Sequence, residues 1–123
     1  MEIALISHDG KKAEMVQFIN EHRDFFHQEK ITLVATGTTG IKVENAGFKV
    51  HKLLSGPLGG DAQIAARIVE GTCKMVLFFR DPLAKHPHEP DVLMLLRLCD
   101  VHNVPLATNP RTATLLIKGL QNT

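Results

Sequence analysis

Apolar residues come in short runs separated by longer stretches of mixed character. The runs occupy Glu2 to Ser7, Ile31 to Thr36, Val50 to Ser55, Lys74 to Phe79 and Pro105 to Thr108, and they are rich in β-branched residues and Leu. Runs of this length and composition predict five strands. Between them Val16, Ile19 and Phe26, and later Ile64, Ala65, Ile68 and Val69, recur at helical spacing, so strand and helix alternate along the chain. In Ile3-Ala4-Leu5-Ile6 and Met75-Val76-Leu77-Phe78-Phe79 every successive position is apolar, as expected of strands covered on both faces. The pattern predicts an α/β fold: a single-domain, doubly wound three-layer sandwich on a five-stranded, mainly parallel sheet. No longer repeat and no linker divides residues 1–123, so one domain is expected.

Length and charge agree with that picture. A chain of 123 residues buries roughly two-thirds of its unfolded surface in one core. The net charge of +1, with 44% apolar residues and no low-complexity tract, excludes a disordered tail and a basic nucleic-acid arm. Six Phe with no Tyr or Trp leave little to stack bases or line a membrane interface, so neither nucleic acid nor membrane is an expected partner. Cys73 and Cys99 form no CxxC spacing and read as small core residues of a reducing compartment. No apolar run approaches the roughly 18 residues of a membrane span, and the first residues lack a basic lead, so the expected location is cytoplasmic.

In folds of this kind ligands bind beyond the carboxyl ends of the strands, so the residues after each run carry the functional information. Those turns are Ser7-His8-Asp9-Gly10-Lys11-Lys12, Thr36-Gly37-Thr38-Thr39-Gly40, Ser55-Gly56-Pro57-Leu58-Gly59-Gly60-Asp61 and Arg80-Asp81-Pro82, the last continuing to His86-Pro87-His88-Glu89-Pro90-Asp91. The second offers two glycines and three hydroxyls at an expected helix N-terminus, which by composition is a phosphate cradle and equally a plain turn with a Thr cap. It lacks the Walker lysine and the dinucleotide-binding glycine spacing. The third holds Asp61 behind glycines and a proline, either as a general base or as the cap of the next helix. In the rigid Pro-x-x-Pro setting a neutral His88 is suited to donate to a substrate carbonyl. A metal site of His86, His88 and Asp91, with or without His8, is the weaker reading, because no zinc-type spacing accompanies them. Lys12 is suited to reach a phosphate as a point charge, or is simply solvated. Asn109 before Pro110 reads as a helix cap. Four loops converging at one edge suit one small phosphorylated carbonyl compound.

The runs Ser55 to Asp61, Ala35 to Gly40, Phe79-Arg80-Asp81-Pro82-Leu83 and Pro87-His88-Glu89-Pro90-Asp91-Val92 resemble the signatures of the methylglyoxal synthase family in order and spacing, from His8-Asp9 to Ala107-Thr108-Asn109. The GGD and PHEPD motifs together are the specific part, since the same fold serves as a regulatory module in carbamoyl-phosphate synthetase and in a purine-biosynthesis enzyme. The resemblance implies a methylglyoxal synthase-like fold. It also implies a carbon–oxygen lyase that converts dihydroxyacetone phosphate to methylglyoxal and inorganic phosphate with no cofactor, and the absence of any recognised ligand spacing predicts that it needs no metal. Asp61 matches the catalytic base and His88 the residue that polarises the carbonyl. Asp9, Asp81 and Asp91 match acidic residues that orient or assist the site. His8, Lys12, Thr36, Gly37, Thr38, Thr39, Ser55 and Gly56, together with His88, match substrate-binding positions.

Members of the family are usually homohexamers inhibited by phosphate. The apolar stretch Leu93-Met94-Leu95-Leu96 with Leu98 and Cys99, interrupted by Arg97, independently predicts self-association. The chain stops at Thr123, earlier than is usual in the family, whose members commonly carry a further C-terminal segment that helps build subunit contacts. The alternative function is a non-catalytic regulatory module binding a phosphorylated metabolite, and a weaker one is a triose-phosphate isomerase.

Overall fold

A computed structural model describes residues 1–84 and 89–122, with the side chains of residues 89–91 outside the description. The strands are β1 (Glu2–Ser7), β2 (Thr32–Thr36), β3 (Val50–Leu53), β4 (Cys73–Phe79) and β5 (Leu106–Ala107). The helices are α1 (Lys12–Glu21), α2 (Arg23–Phe26), α3 (Gly37–Asn45), α4 (Gly60–Val69), α5 (Glu89–Val101) and α6 (Pro110–Gln121). The strands form one sheet in the order β3-β2-β1-β4-β5, and every pairing is parallel.

Two apolar clusters show why the strand sequences are apolar at successive positions. Ile3 and Leu5 of β1 and Met75, Leu77 and Phe79 of β4 pack with Phe18 and Ile19 of α1, Val43 of α3 and Ile117 of α6. Ala4 and Ile6, with Val76 and Phe78, point the other way onto Ile64 and Ile68 of α4 and Val92, Leu95 and Cys99 of α5. Helices therefore cover both faces, as expected of a doubly wound sandwich. Ile3, Leu5, Leu77 and Leu95 are fully buried, and burial of such a side chain contributes about 1.5–3 kcal/mol.

The strands are shorter than the sequence runs where backbone groups are claimed elsewhere. Ile31 donates its N–H to Gln28 O in a turn before β2. Leu54 leaves the ladder after β3 because its N–H goes to Gln63 Oε1 at 2.8 Å and its carbonyl accepts from Gly37 N. The helical stretch after β1 is also broken. His22 turns its ring back to Phe18 O at 3.0 Å and lies against the Phe18 ring, and the resulting bend lets α2 bury Phe25 and Phe26. Asn109 caps α6 as expected, its Oδ1 accepting from Thr112 N at 3.0 Å.

Cys73 and Cys99 are free, buried thiols of the α4–α5 layer. Among the described residues no helix is long and apolar enough to cross a membrane, and no group of three or more His, Cys, Asp and Glu is placed to hold a metal ion. On α5, Leu95 and Cys99 are buried while Leu93 and Val101 stay 61% and 65% exposed, so one face of the helix has no cover among the described residues.

Two outcomes follow from the packing. A Cβ at Gly119, on the exposed side of α6, meets nothing within 4 Å, so Gly119→Ala should stabilise the fold by about 0.4–1 kcal/mol and raise Tm. Burial, followed by the neighbouring Cys73 and Asp100 charges, pushes the Cys99 thiol up to about 11 from 9.0. The folded chain therefore keeps that proton after the unfolded chain has lost it, and stability should decline as pH rises between about 9 and about 11. Denaturant midpoints across that range, with Cys99→Val flattening part of the slope, provide the check.

Candidate active site

β1 and β4 are neighbours, yet the chain leaves β1 toward β2 and leaves β4 toward β5. Loops that depart on opposite sides leave a crevice at the strand ends between them. A cavity of about 260 Å³ lies there, walled by Ser7, His8, Asp9 and Lys12 after β1 and by Thr36 to Thr39 after β2. Ser55, Gly56 and Pro57 after β3, and Asp61 in α4, complete the polar wall, with Ile6, Phe78 and Val92 beneath. Strand-end turns far apart in sequence are thus gathered at one place.

The loops are tied to one another by their backbones. Gly37 N donates to Leu54 O at 3.2 Å, joining the second loop to the third. Gly60 passes so close to that carbonyl that an added Cβ would lie 1.9 Å from Leu54 O. Gln63 then holds Leu54 N from the first turns of α4. These contacts fix the path that carries Asp61 into the cavity wall.

Asp61 is not the cap of α4. Gly59, at φ 113°, occupies the cap position and Asp61 falls in the first helical turn. Its carboxylate lies beside the backbone of Gly56, where an added Cβ would be 3.3 Å from Oδ2. The cap reading of the sequence is therefore replaced by one in which the side chain faces the crevice.

At the same cavity, α3 begins at Gly37 with Thr36 as its N-cap residue, and Thr36 makes no side-chain capping bond. First-turn N–H groups and the hydroxyls of Thr36, Thr38 and Thr39 thus edge the cavity beside Lys12, the combination that suits an anion. Lys12 is largely buried and pairs with the carboxylate of the solvent-exposed Asp9. One cation is therefore held in place by a carboxylate on its water side.

His8 is oriented from behind. The Asp81 N–H donates to its Nδ1 at 3.0 Å, so the neutral ring carries its proton on Nε2, an assignment inferred from that bond. Phe78 meets the imidazole edge to face at 5.3 Å between centroids, and His8 N donates to Phe79 O. Asp81 does not line the cavity. Its Oδ1 accepts from Leu83 N at 3.1 Å, which stiffens the turn that holds His8. His86 and His88 lie outside the described residues, as does the side chain of Asp91, and with them the alternative metal group. Ser7 and Gln63 are the participants that motif reading passes over. Ser7 carries one signal in the sequence, a polar residue closing an apolar strand.

The MGS-like domain family matches residues 14–108. A methylglyoxal synthase of Carboxydothermus hydrogenoformans is 55% identical over 98% of this chain and 98% of its own length. One from Moorella thermoacetica is 52% identical over 99% of this chain and 94% of its own. The chain belongs to the methylglyoxal synthase family. A crystal structure of the Elizabethkingia anophelis methylglyoxal synthase superposes with a TM-score of 0.83 at 37% identity, covering 94% of this chain and 76% of that one.

The His8 support generates a test. A Cβ at Gly10 would lie 2.7 Å from Asp81 Oδ2, so Gly10→Ala must displace that carboxylate and loosen the turn behind His8. We expect kcat/KM for methylglyoxal release to fall by about tenfold or more while Tm changes little, since small misplacements of binding groups are costly in rate.

Proposed function

We propose that this chain is a methylglyoxal synthase acting at the strand-end cavity, a carbon–oxygen lyase that converts dihydroxyacetone phosphate to methylglyoxal and inorganic phosphate. The observation that carries the reading is that two kinds of group line one 260 Å³ space. A carboxylate, Asp61, shares it with a cation, Lys12, and with the uncapped start of α3. A phosphate held against Lys12, Thr36, Gly37, Thr38 and Thr39, with His8, Ser55 and Gly56 completing the wall, directs the three-carbon body toward Asp61.

The chemistry then runs without water as a reactant and without net oxidation. Asp61 accepts a proton from the hydroxymethyl carbon, and the electron pair left behind forms an enediolate whose charge gathers on the former carbonyl oxygen. His88, by its match to the family motif, donates to that oxygen. In the collapse of the enediolate the hydroxyl on the deprotonated carbon becomes the aldehyde and gives its proton to the departing phosphate as the far carbon–oxygen bond breaks, and the enolate that remains takes the proton held by Asp61 on that far carbon to become methylglyoxal. His8, with its proton on Nε2, and Lys12 are placed to stabilise the charge on the departing phosphate. Asp9 acts through Lys12 and Asp81 through His8. We assign Asp91 the supporting role its motif implies.

The same reading takes residues 1–123 as one methylglyoxal synthase-like domain of the cytoplasm, where buried free thiols such as Cys73 and Cys99 persist. It takes the uncovered face of α5, with Leu93 and Val101, as surface buried between copies in a homo-oligomer, a homohexamer by family resemblance.

Incubation with dihydroxyacetone phosphate, with no added metal or nucleotide, should release methylglyoxal and phosphate in equal amounts. Binding without product would favour the regulatory module instead. Asp61→Asn keeps the shape of the side chain and its place in the first turn of α4 but removes the basic lone pair. Its kcat should fall by about 10² to 10⁴ while Tm and affinity for inorganic phosphate stay near wild type. A folded Asn variant with near wild-type turnover would overturn the assignment of the base.

A further inference from the structure

Ser7 stands where the alternation of β1 places core residues. Ile3 and Leu5 enter the cluster covered by α1, α3 and α6, and Ser7 is next in that series, with 8% of its surface exposed. A hydroxyl taken out of water at such a position is costly unless it is bonded. Its partner is Thr39, in the first turn of α3 and 2% exposed, with 2.9 Å between Ser7 Oγ and Thr39 Oγ1. Both residues line the cavity. The pair ties the end of the central strand to the start of the helix that edges the anion site, bridging across β2.

Each hydroxyl has one proton to give and lone pairs to receive one, so the direction of this bond decides what Thr39 can offer the cavity. If Thr39 donates to Ser7, its proton is spent inside the wall. If Ser7 donates to Thr39, the Thr39 proton is free, and accepting a bond strengthens it as a donor. A phosphate held at the start of α3 turns acceptor oxygens toward Thr39, which lies in that first turn, and so selects the second arrangement. Resting on the anion site described above, we propose that Ser7 is a positioning residue of that site: its hydroxyl donates to Thr39 and turns the Thr39 hydroxyl onto the phosphate.

The test titrates inorganic phosphate calorimetrically into the full chain and measures steady-state kinetics on dihydroxyacetone phosphate. It compares wild type with Ser7→Ala, Ser7→Thr, Thr39→Val and the Ser7→Ala/Thr39→Val pair. Loss of one hydrogen bond in the relay should weaken phosphate binding by Ser7→Ala about three- to tenfold. KM should rise in step and kcat should move less, because the relay ends on phosphate and not on the carbon that loses its proton. Ser7→Thr should restore both values, and in the Thr39→Val background Ser7→Ala should add nothing. A lowered Tm with unchanged phosphate affinity would make Ser7 a packing residue and overturn the proposal, as would an equal loss in the Thr39→Val background. Should Ser7→Ala fail to fold, Ser7→Cys keeps the volume with a weaker donor and is judged by the same criteria. Wild type that binds no phosphate would remove the anion site itself, whereas wild type that binds it and Ser7→Ala that binds it equally well would remove only the role of Ser7.

Discussion

Parallel pairing on β1 is the constraint from which the rest of this structure follows. β1 lies at the centre of the sheet and pairs with β2 on one side and, with one register shift between Glu2 and Ile3, with β4 on the other. Parallel neighbours end at the same edge, so the loops after β1, β2, β3 and β4 must all open there. Because the chain turns outward in opposite directions from β1 and β4, the edge opens between them, and the polar turns line that opening. A strand so placed is buried on both faces, and Ile3, Ala4 and Leu5 are fully buried. The requirement for an apolar centre and the requirement for a polar rim are met by one strand, apolar until Ser7 and polar from there on.

The rim is rigid because its loops hold one another. Leu54 is the junction. Its carbonyl accepts from Gly37 at the start of α3, its N–H goes to Gln63 of α4, and Gly60 passes against the same carbonyl. The α3 terminus and the loop bearing Asp61, both of which line the cavity, are thus joined through a single residue of the edge-strand exit. A second set of bonds runs from Asp81 to His8 and from the β4 exit to the β1 exit. Catalysis that depends on a proton leaving carbon and a phosphate leaving the far carbon needs both ends of a small substrate held at once. Backbone ties of this kind supply that without long flexible side chains.

Much of this was legible in the chain. Each of the five apolar runs overlaps the strand found there, β4 beginning one residue before its run and the other four strands lying within theirs, because apolar character on both faces leaves few other structures for segments of that length. The Asn109 cap and the gathering of His8, Lys12, Thr36, Ser55 and Asp61 at one edge followed from position after a strand, and the burial of the cysteines from their lack of any CxxC spacing. The break at His22 was not legible, since it depends on a ring folding back on Phe18, and neither was the loss of Leu54 from β3, which depends on a glutamine several residues on. Asp61 as a cap was a fair local reading that the positive φ of Gly59 displaced.

The sequence by itself determined the order of elements, the layer architecture and the set of residues available at the strand ends, because these depend on local periodicity and on a rule about where parallel strands finish. It also placed the chain beside the methylglyoxal synthases through motifs that sit in those turns. Only the tertiary structure decided which atoms of those residues meet. That Asp81 reaches the site through its backbone N–H and His8, that Asp9 serves Lys12 from the solvent side, and that Ser7 is bonded to Thr39 are facts of contact between segments distant in sequence. Hydrogen bonds are directional and short, so a shift of about an ångström creates or abolishes them. Hydrophobic patterning, which acts over whole faces of helices and strands, does not specify position to that precision.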